Sequence, residues 1–123
     1  MAQRIPPDLE PLLIKAQQLE AQLAQVAKQR EVAEAELREI ERTLSTLEKL
    51  PDDATLYKSE GYVLVKVSKE DVKKDLEERK ELLEVSVNSL RKQEERIREE
   101  LMKLRKEINL KLRPGGHAGS VAG

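Results

Sequence analysis

The sequence predicts a mainly α chain, two long helices folded back as an antiparallel coiled coil with one β-hairpin between them. Three observations predict it. Apolar residues recur at alternating spacings of three and four along both outer stretches of the chain. The middle, Leu50 to Val72 (LPDDATLYKSEGYVLVKVSKEDV), holds both tyrosines and the sustained β-branched run Val63, Val65, Val67. The two patterned stretches are nearly equal in length, so folding back at the middle matches their seams. A parallel homodimer is the alternative, but it leaves the equal arms unexplained and the hairpin stranded.

The first helix is expected over about 9–50. Pro6 and Pro7 forbid helix upstream, so residues 1–8 are read as frayed or extended. Asp8 is a candidate N-cap, and Pro11 is tolerated in a first turn, where its missing N–H has no intrahelical acceptor anyway. The seam runs Leu9, Leu12, Ala16, Leu19, Leu23, Val26, Arg30, Ala33, Leu37, Ile40, Leu44, Leu47, apolar everywhere except Arg30. Same-helix charge pairs such as Glu34 with Arg38 decorate the outer faces and contribute only about 0.2–0.5 kcal/mol each. Pro51 ends the helix, because it has no N–H to donate and clashes with the preceding turn.

The hairpin is expected over 54–68, with runs Ala54–Ser59 and Tyr62–Ser68 joined at Glu60-Gly61, glycine supplying the positive φ of a tight turn. Leu56, Tyr57, Tyr62, Val63, Leu64, Val65 and Val67 make it apolar on both faces. Two strands alone are marginal in water, and both outer edges present unpaired backbone groups. Hairpins from several chains joining into a shared sheet or barrel satisfy those edges, so the chain is read as an oligomer whose hairpin is the assembly element.

Ser68 is the expected N-cap of the second helix, 69–112, with Glu70 and Asp71 suited to the positive end of its dipole. Its seam is Leu76, Lys80, Leu83, Val87, Leu90, Glu94, Ile97, Leu101, Leu104, Ile108. Arg30 and Glu94 are the strong polar breaks of the two arms and lie at nearly equal distances from the turn. Antiparallel pairing places them in adjacent layers, a polar layer that would penalise slipped register. The stretch 113–123 carries Pro, repeated Gly and no periodicity, and is expected to be disordered, with His117 solvated there. The whole of 1–123 reads as one domain.

Charged residues make up 38% of the chain, aromatics 2%, and Cys, Trp and Phe are absent, the composition of long helices rather than of a globular enzyme. With 23 basic and 24 acidic residues interspersed, no one-signed field attracts nucleic acid or anionic lipid. No apolar run approaches the roughly 20 residues a membrane span needs, and MAQRIPPDLEPLL lacks the apolar segment of a signal peptide. The lack of cysteine fits a reducing cytoplasm. Phosphate loops, paired-cysteine zinc patterns, nucleophile elbows and HExxH are missing, so neither catalysis nor a metal or other cofactor is expected. What remains is apolar surface outside the seam near both ends of the chain: Leu13 and Ile14, then Met102, Leu110 and Leu112. An antiparallel fold brings the two groups together, and pliant Leu and Met side chains there suit a binding surface.

The chain resembles the prefoldin family in its archaeal beta-subunit form. The resemblance covers nearly the whole chain: IPP before the first helix, the hairpin block LPDDATLYKSEGYVLVKVSKE, and a second helix ending LRP. The hairpin block, LPDDA then LYK then a Gly before the second strand, is its most specific part. The resemblance implies an ATP-independent chaperone subunit in a hexamer of two alpha and four beta subunits, the hairpins forming a β-barrel platform. It implies coiled-coil tips that hold unfolded clients for a group II chaperonin. Here the tip residues would be Ile5, Leu9, Leu12, Leu13, Ile14, Met102, Ile108, Leu110 and Leu112. The competing class is a scaffolding coiled coil whose ends dock one fixed partner.

Overall fold

The computed structural model describes residues 6–113, so Ile5 and the tail from residue 114 onward, with His117, lie outside the described residues. Helix α1 spans Glu10–Glu48, strands β1 and β2 span Leu56–Glu60 and Val63–Val67, and helix α2 spans Lys69–Leu112. The described residues fall into two units, one of residues 6–28 with 90–113 and one of 29–89.

Local chemistry explains each boundary. The Leu9 N–H donates to the Pro6 carbonyl at 2.9 Å, closing a turn, and the Leu13 N–H donates to the Leu9 carbonyl, opening α1. Pro11 lies in that first turn, where an N–H would have no partner. At the far end the Lys49 and Leu50 N–H groups reach back only three residues, to Thr46 and Leu47. This tightening precedes Pro51 and uses two carbonyls that α-helical bonding leaves open. Pro51 then accepts from the Ala54 N–H at 3.0 Å, turning the chain toward β1.

The strands pair antiparallel from Leu56↔Val67 to Glu60↔Val63. The connecting residues are therefore Gly61 and Tyr62, not Glu60 and Gly61. Gly61 has φ of 56°, and no non-glycine residue among those described has a positive φ. A positive φ at the first loop position alone is the signature of a II′ hairpin turn, whose twist matches the strands. Nothing lies within 4 Å of where a Gly61 Cβ would sit, so the glycine is there for its backbone and not for space. Gly61→Ala should destabilise the hairpin by about 1 kcal/mol, and Gly61→Asn by less, because Asn tolerates this region. Denaturant titration of the two variants measures the difference.

Helix α2 begins as its sequence requires. The Asp71 N–H donates to Ser68 Oγ at 3.1 Å, the N-cap bond, and the Val72 N–H donates to the Ser68 carbonyl.

Each unit has its own packing. In the first, Leu9, Ala16, Leu19, Leu101, Leu104 and Ile108 form a buried cluster, with Leu12, Leu13, Leu23 and Ile97 packed against it. In the second, Ile40, Leu47, Leu83 and Val87 are buried. All of these except Leu13 are seam positions, so the alternating spacing marks the buried stripe. Ion pairs across the helices show their direction inside each unit. Arg105 meets Glu20 at 2.9 Å and Lys111 meets Asp8 at 3.0 Å in the first. Arg79 meets Glu36 at 2.8 Å and Lys73 meets Glu48 at 2.7 Å in the second. In both units later residues of α2 meet earlier residues of α1, which is antiparallel packing.

Candidate interaction surfaces

The hairpin register sorts its side chains onto two faces. Leu56, Lys58 and Glu60 share one face with their partners Val67, Val65 and Val63. Lys58 and Glu60, two apart on β1, form an ion pair of 3.2 Å on that face. Tyr57 and Ser59 share the other face with Lys66 and Leu64. Leu56 and Val67, at the root, are half-buried. Tyr57, Val63, Leu64 and Val65 are exposed, Leu64 to 71%. Tyr62 sits in the loop instead of on the strand face that the sequence pattern assigned to it, and is fully exposed. Strand β2 is thus an apolar edge in water on both of its faces, while β1 is largely polar.

At the root of the hairpin a polar cleft is lined by Glu48, Asp52, Ser68, Lys69, Glu70 and Lys73. Lys73 donates a hydrogen bond to Glu48 and, with its charge, holds that carboxyl below the usual carboxylate range; Glu48 raises the Lys73 ammonium in return. A depressed carboxyl pKa means this bridge contributes fully above the ordinary Glu value. The contribution is lost as pH falls through the lowered one. Arg79 is likewise raised by its hydrogen bond to Glu36.

The terminal apolar residues divide. Leu9 is 0% exposed, and Ile108 is buried with it. Leu12 and Leu13 are half-buried and packed on the same cluster. Leu9 and Ile108 therefore close the seam and offer no surface to a ligand. Leu12 and Leu13 offer only an edge. Ile14, Met102, Leu110 and Leu112 are each more than half exposed and belong to this same unit. Sequence reasoning overlooked Val32, Leu82 and Val85, which are also exposed, in the second unit. Single apolar residues on outer helix faces leave no periodic signal, and singly they are ordinary.

The two strong polar breaks of the seam, Arg30 and Glu94, each have a same-helix partner. Arg30 donates to Glu34 at 3.2 Å one turn along α1. Glu94 accepts from Arg98 at 3.4 Å one turn along α2. Glu94 is 2% exposed, a charged residue sunk in the buried stripe. Among the described residues no group of three or more His, Cys, Asp or Glu could hold a metal ion. No helix among them is long and apolar enough to cross a membrane.

Comparison with known proteins identifies this arrangement. The sequence profile described as Prefoldin subunit matches residues 10–114. Prefoldin subunit beta of Pyrobaculum calidifontis is 44% identical over 126 residues, covering 100% of both chains. Prefoldin subunit beta of Sulfurisphaera tokodaii is 43% identical over 109 residues, 89% of this chain and 87% of that one. The crystal structure of the prefoldin beta subunit from Thermococcus strain KS-1 superposes with a TM-score of 0.84 at 37% identity, covering 92% of this chain and 99% of that one. Two long helices joined by a short antiparallel hairpin, matched over nearly their full length, place this chain in the prefoldin family, among the archaeal-type beta subunits.

Proposed function

We propose that this chaperone subunit works without ATP, holding unfolded polypeptides on the exposed apolar residues of its terminal unit and passing them to a group II chaperonin. It does so in the cytoplasm as part of a hexamer of two alpha and four beta subunits, joined through the hairpins into a β-barrel platform. The observation that carries the reading is the division of the terminal residues. A core is already closed by Leu9, Leu101, Leu104 and Ile108, yet four further large apolar side chains remain in water beside it. Exposed apolar surface gathered into a patch marks an interaction site, and these four residues of one unit are its candidates here. Ile and Leu supply burial, and Met and Leu adapt to varied sequences, which suits a partner without fixed shape. No nucleotide, metal or catalytic group is required, since holding and release need only reversible apolar contact.

The test replaces Ile14, Met102, Leu110 and Leu112 with Ser together, in the subunit assembled with its alpha partner. Full burial of such a side chain is worth roughly 1.5–3 kcal/mol, and these four begin half-exposed, so their combined loss should abolish most protection of aggregating clients. Helicity and the mass of the complex should stay unchanged. Protection equal to wild type would show that these residues serve only to close the helix ends, and binding confined to one folded protein would favour a scaffold.

A further inference from the structure

Helix α1 ends with acceptors facing the wrong company. Its last turn contains no basic residue to answer the negative end of its dipole. Thr46 and Leu47 carbonyls are taken by the N–H groups of Lys49 and Leu50, but the Leu50 carbonyl has no N–H ahead of it in the chain to do the same, since the turn that follows is built on Pro51. Its donor comes from nineteen residues away: Lys69 Nζ reaches the Leu50 carbonyl at 2.8 Å. The same ammonium meets Asp52 Oδ1 at 3.3 Å.

Lys69 is itself in an unusual position. It is the first residue of α2, directly after the Ser68 cap, at the positive end of that helix's dipole. A cation there is unfavourable for α2, whose next two residues, Glu70 and Asp71, obey the rule that Lys69 breaks. Yet its side chain is only 13% exposed, while that of Asp52 is fully so. A locally unfavourable residue, held largely out of water and bonded to another segment, marks a place where a wider requirement has overridden local preference. One turn further, the Lys73–Glu48 bridge ties the same two helix ends.

We propose that Lys69 is a positioning residue that fastens the root of the hairpin, joining the end of α1, the Pro51–Ala54 turn and the start of α2 so that the hairpin is presented to its assembly partners in one direction. The strands themselves make this necessary. Leu56 and Val67 are the half-buried residues at the root, and beyond them the hairpin is in water. An element with so little apolar anchorage takes its direction from its two connections. A charge-assisted bond to a carbonyl, mostly shielded from solvent, is stronger and less screened by salt than a surface ion pair.

The proposal rests on the hairpin being the assembly element, and the experiment separates the two. Residue-resolved amide hydrogen exchange is measured on the full chain for wild type and for Lys69→Met, which keeps the apolar stem and removes the donor. The Leu50 and Ala54 amides, which donate to Leu47 and Pro51, should exchange about tenfold faster in the variant, as loss of one charge-assisted bond requires. The amides of Ile40 and Leu83, in the same unit, should be unchanged. Lys69→Arg, which retains a cationic donor, should recover most of the protection. Unaltered exchange at Leu50 and Ala54 overturns the proposal. An equal rise at Ile40 and Leu83 also overturns it, since it would show general loosening. Assembly is then measured separately with the alpha partner. Failure of the wild-type chain to assemble defeats the hairpin reading, while the exchange result still decides the role of Lys69.

Discussion

Replacing Val63 and Val65 together with Asp should abolish assembly while leaving the lone chain folded. Both valines are exposed in the single chain, so charging them costs that chain little. The register even softens the change. Val65 lies across from Lys58, where a carboxylate gains an opposite charge; Val63 lies across from Glu60, where it meets a like one. Assembly is a different matter, because a shared sheet would take this face out of water. Burying one poorly paired carboxylate costs at least about 3 kcal/mol, more than about a hundredfold in association, and the variant carries two per chain. Native mass and far-ultraviolet circular dichroism measured on the same samples give the answer. A complex of unchanged mass would sink the claim that the hairpin holds the subunits together. A chain that lost its helicity would show the hairpin to be part of the fold and not an appended joint.

That experiment depends on a register that follows from where the loop sits, and the sequence pattern places the loop one residue early. A two-residue loop containing one glycine can seat it first or second. The pattern reading took Glu60-Gly61, the order of the familiar Asn-Gly turns, whereas the chain uses Gly61-Tyr62, with the positive φ at the first position alone. Alternation within VLVKV is the same either way, so composition and periodicity had no means of choosing. The difference moves Tyr62 from the strand into the loop, brings Glu60 into β1, and gives each β1 residue a partner two positions further along β2, while the residues sharing each face stay the same.

The helices were more legible, because a heptad seam repeated over the length of each arm leaves few alternative packings. Its weakness was in reading surface. Leu9 and Ile108 fall on the same three-four spacing as the rest of the core, yet their nearness to the chain ends grouped them with the binding residues. The spacing was the better guide, and both are buried. Glu94 shows the limit from the other side. Its seam position implied burial, but nothing in the pattern said that a carboxylate there would be 2% exposed and held by Arg98. How far a charged residue is sunk depends on side-chain conformations three and four residues away, and those are settled only when the chain packs. Lys69 was invisible for a similar reason. Its partner is a backbone carbonyl nineteen positions back, and a carbonyl carries no sequence signature.

Leu101 and Met102, adjacent in α2, offer the sharpest division between holding the fold and holding a client. Leu101 is 2% exposed within the terminal cluster, and Met102 is 58% exposed beside it. Leu101→Ala should cost about 2–5 kcal/mol, from the lost burial and the cavity left among Leu9, Leu104 and Ile108. An unfolding free energy of only about 5–15 kcal/mol makes that a large share, so the variant's denaturation midpoint should fall clearly. Met102→Ser should move it by no more than about 0.5 kcal/mol, as an exposed site away from caps and core. Client protection should show the opposite order at a temperature where both variants remain folded: reduced for Met102→Ser and near wild type for Leu101→Ala. Denaturant titration and an aggregation assay on the same preparations separate the two effects. If Leu101→Ala proved as mild as Met102→Ser, the terminal cluster would not be the core described here. If instead Leu101→Ala destabilised as expected while Met102→Ser protected clients fully, the cluster would stand and the binding role of its exposed neighbour would fall.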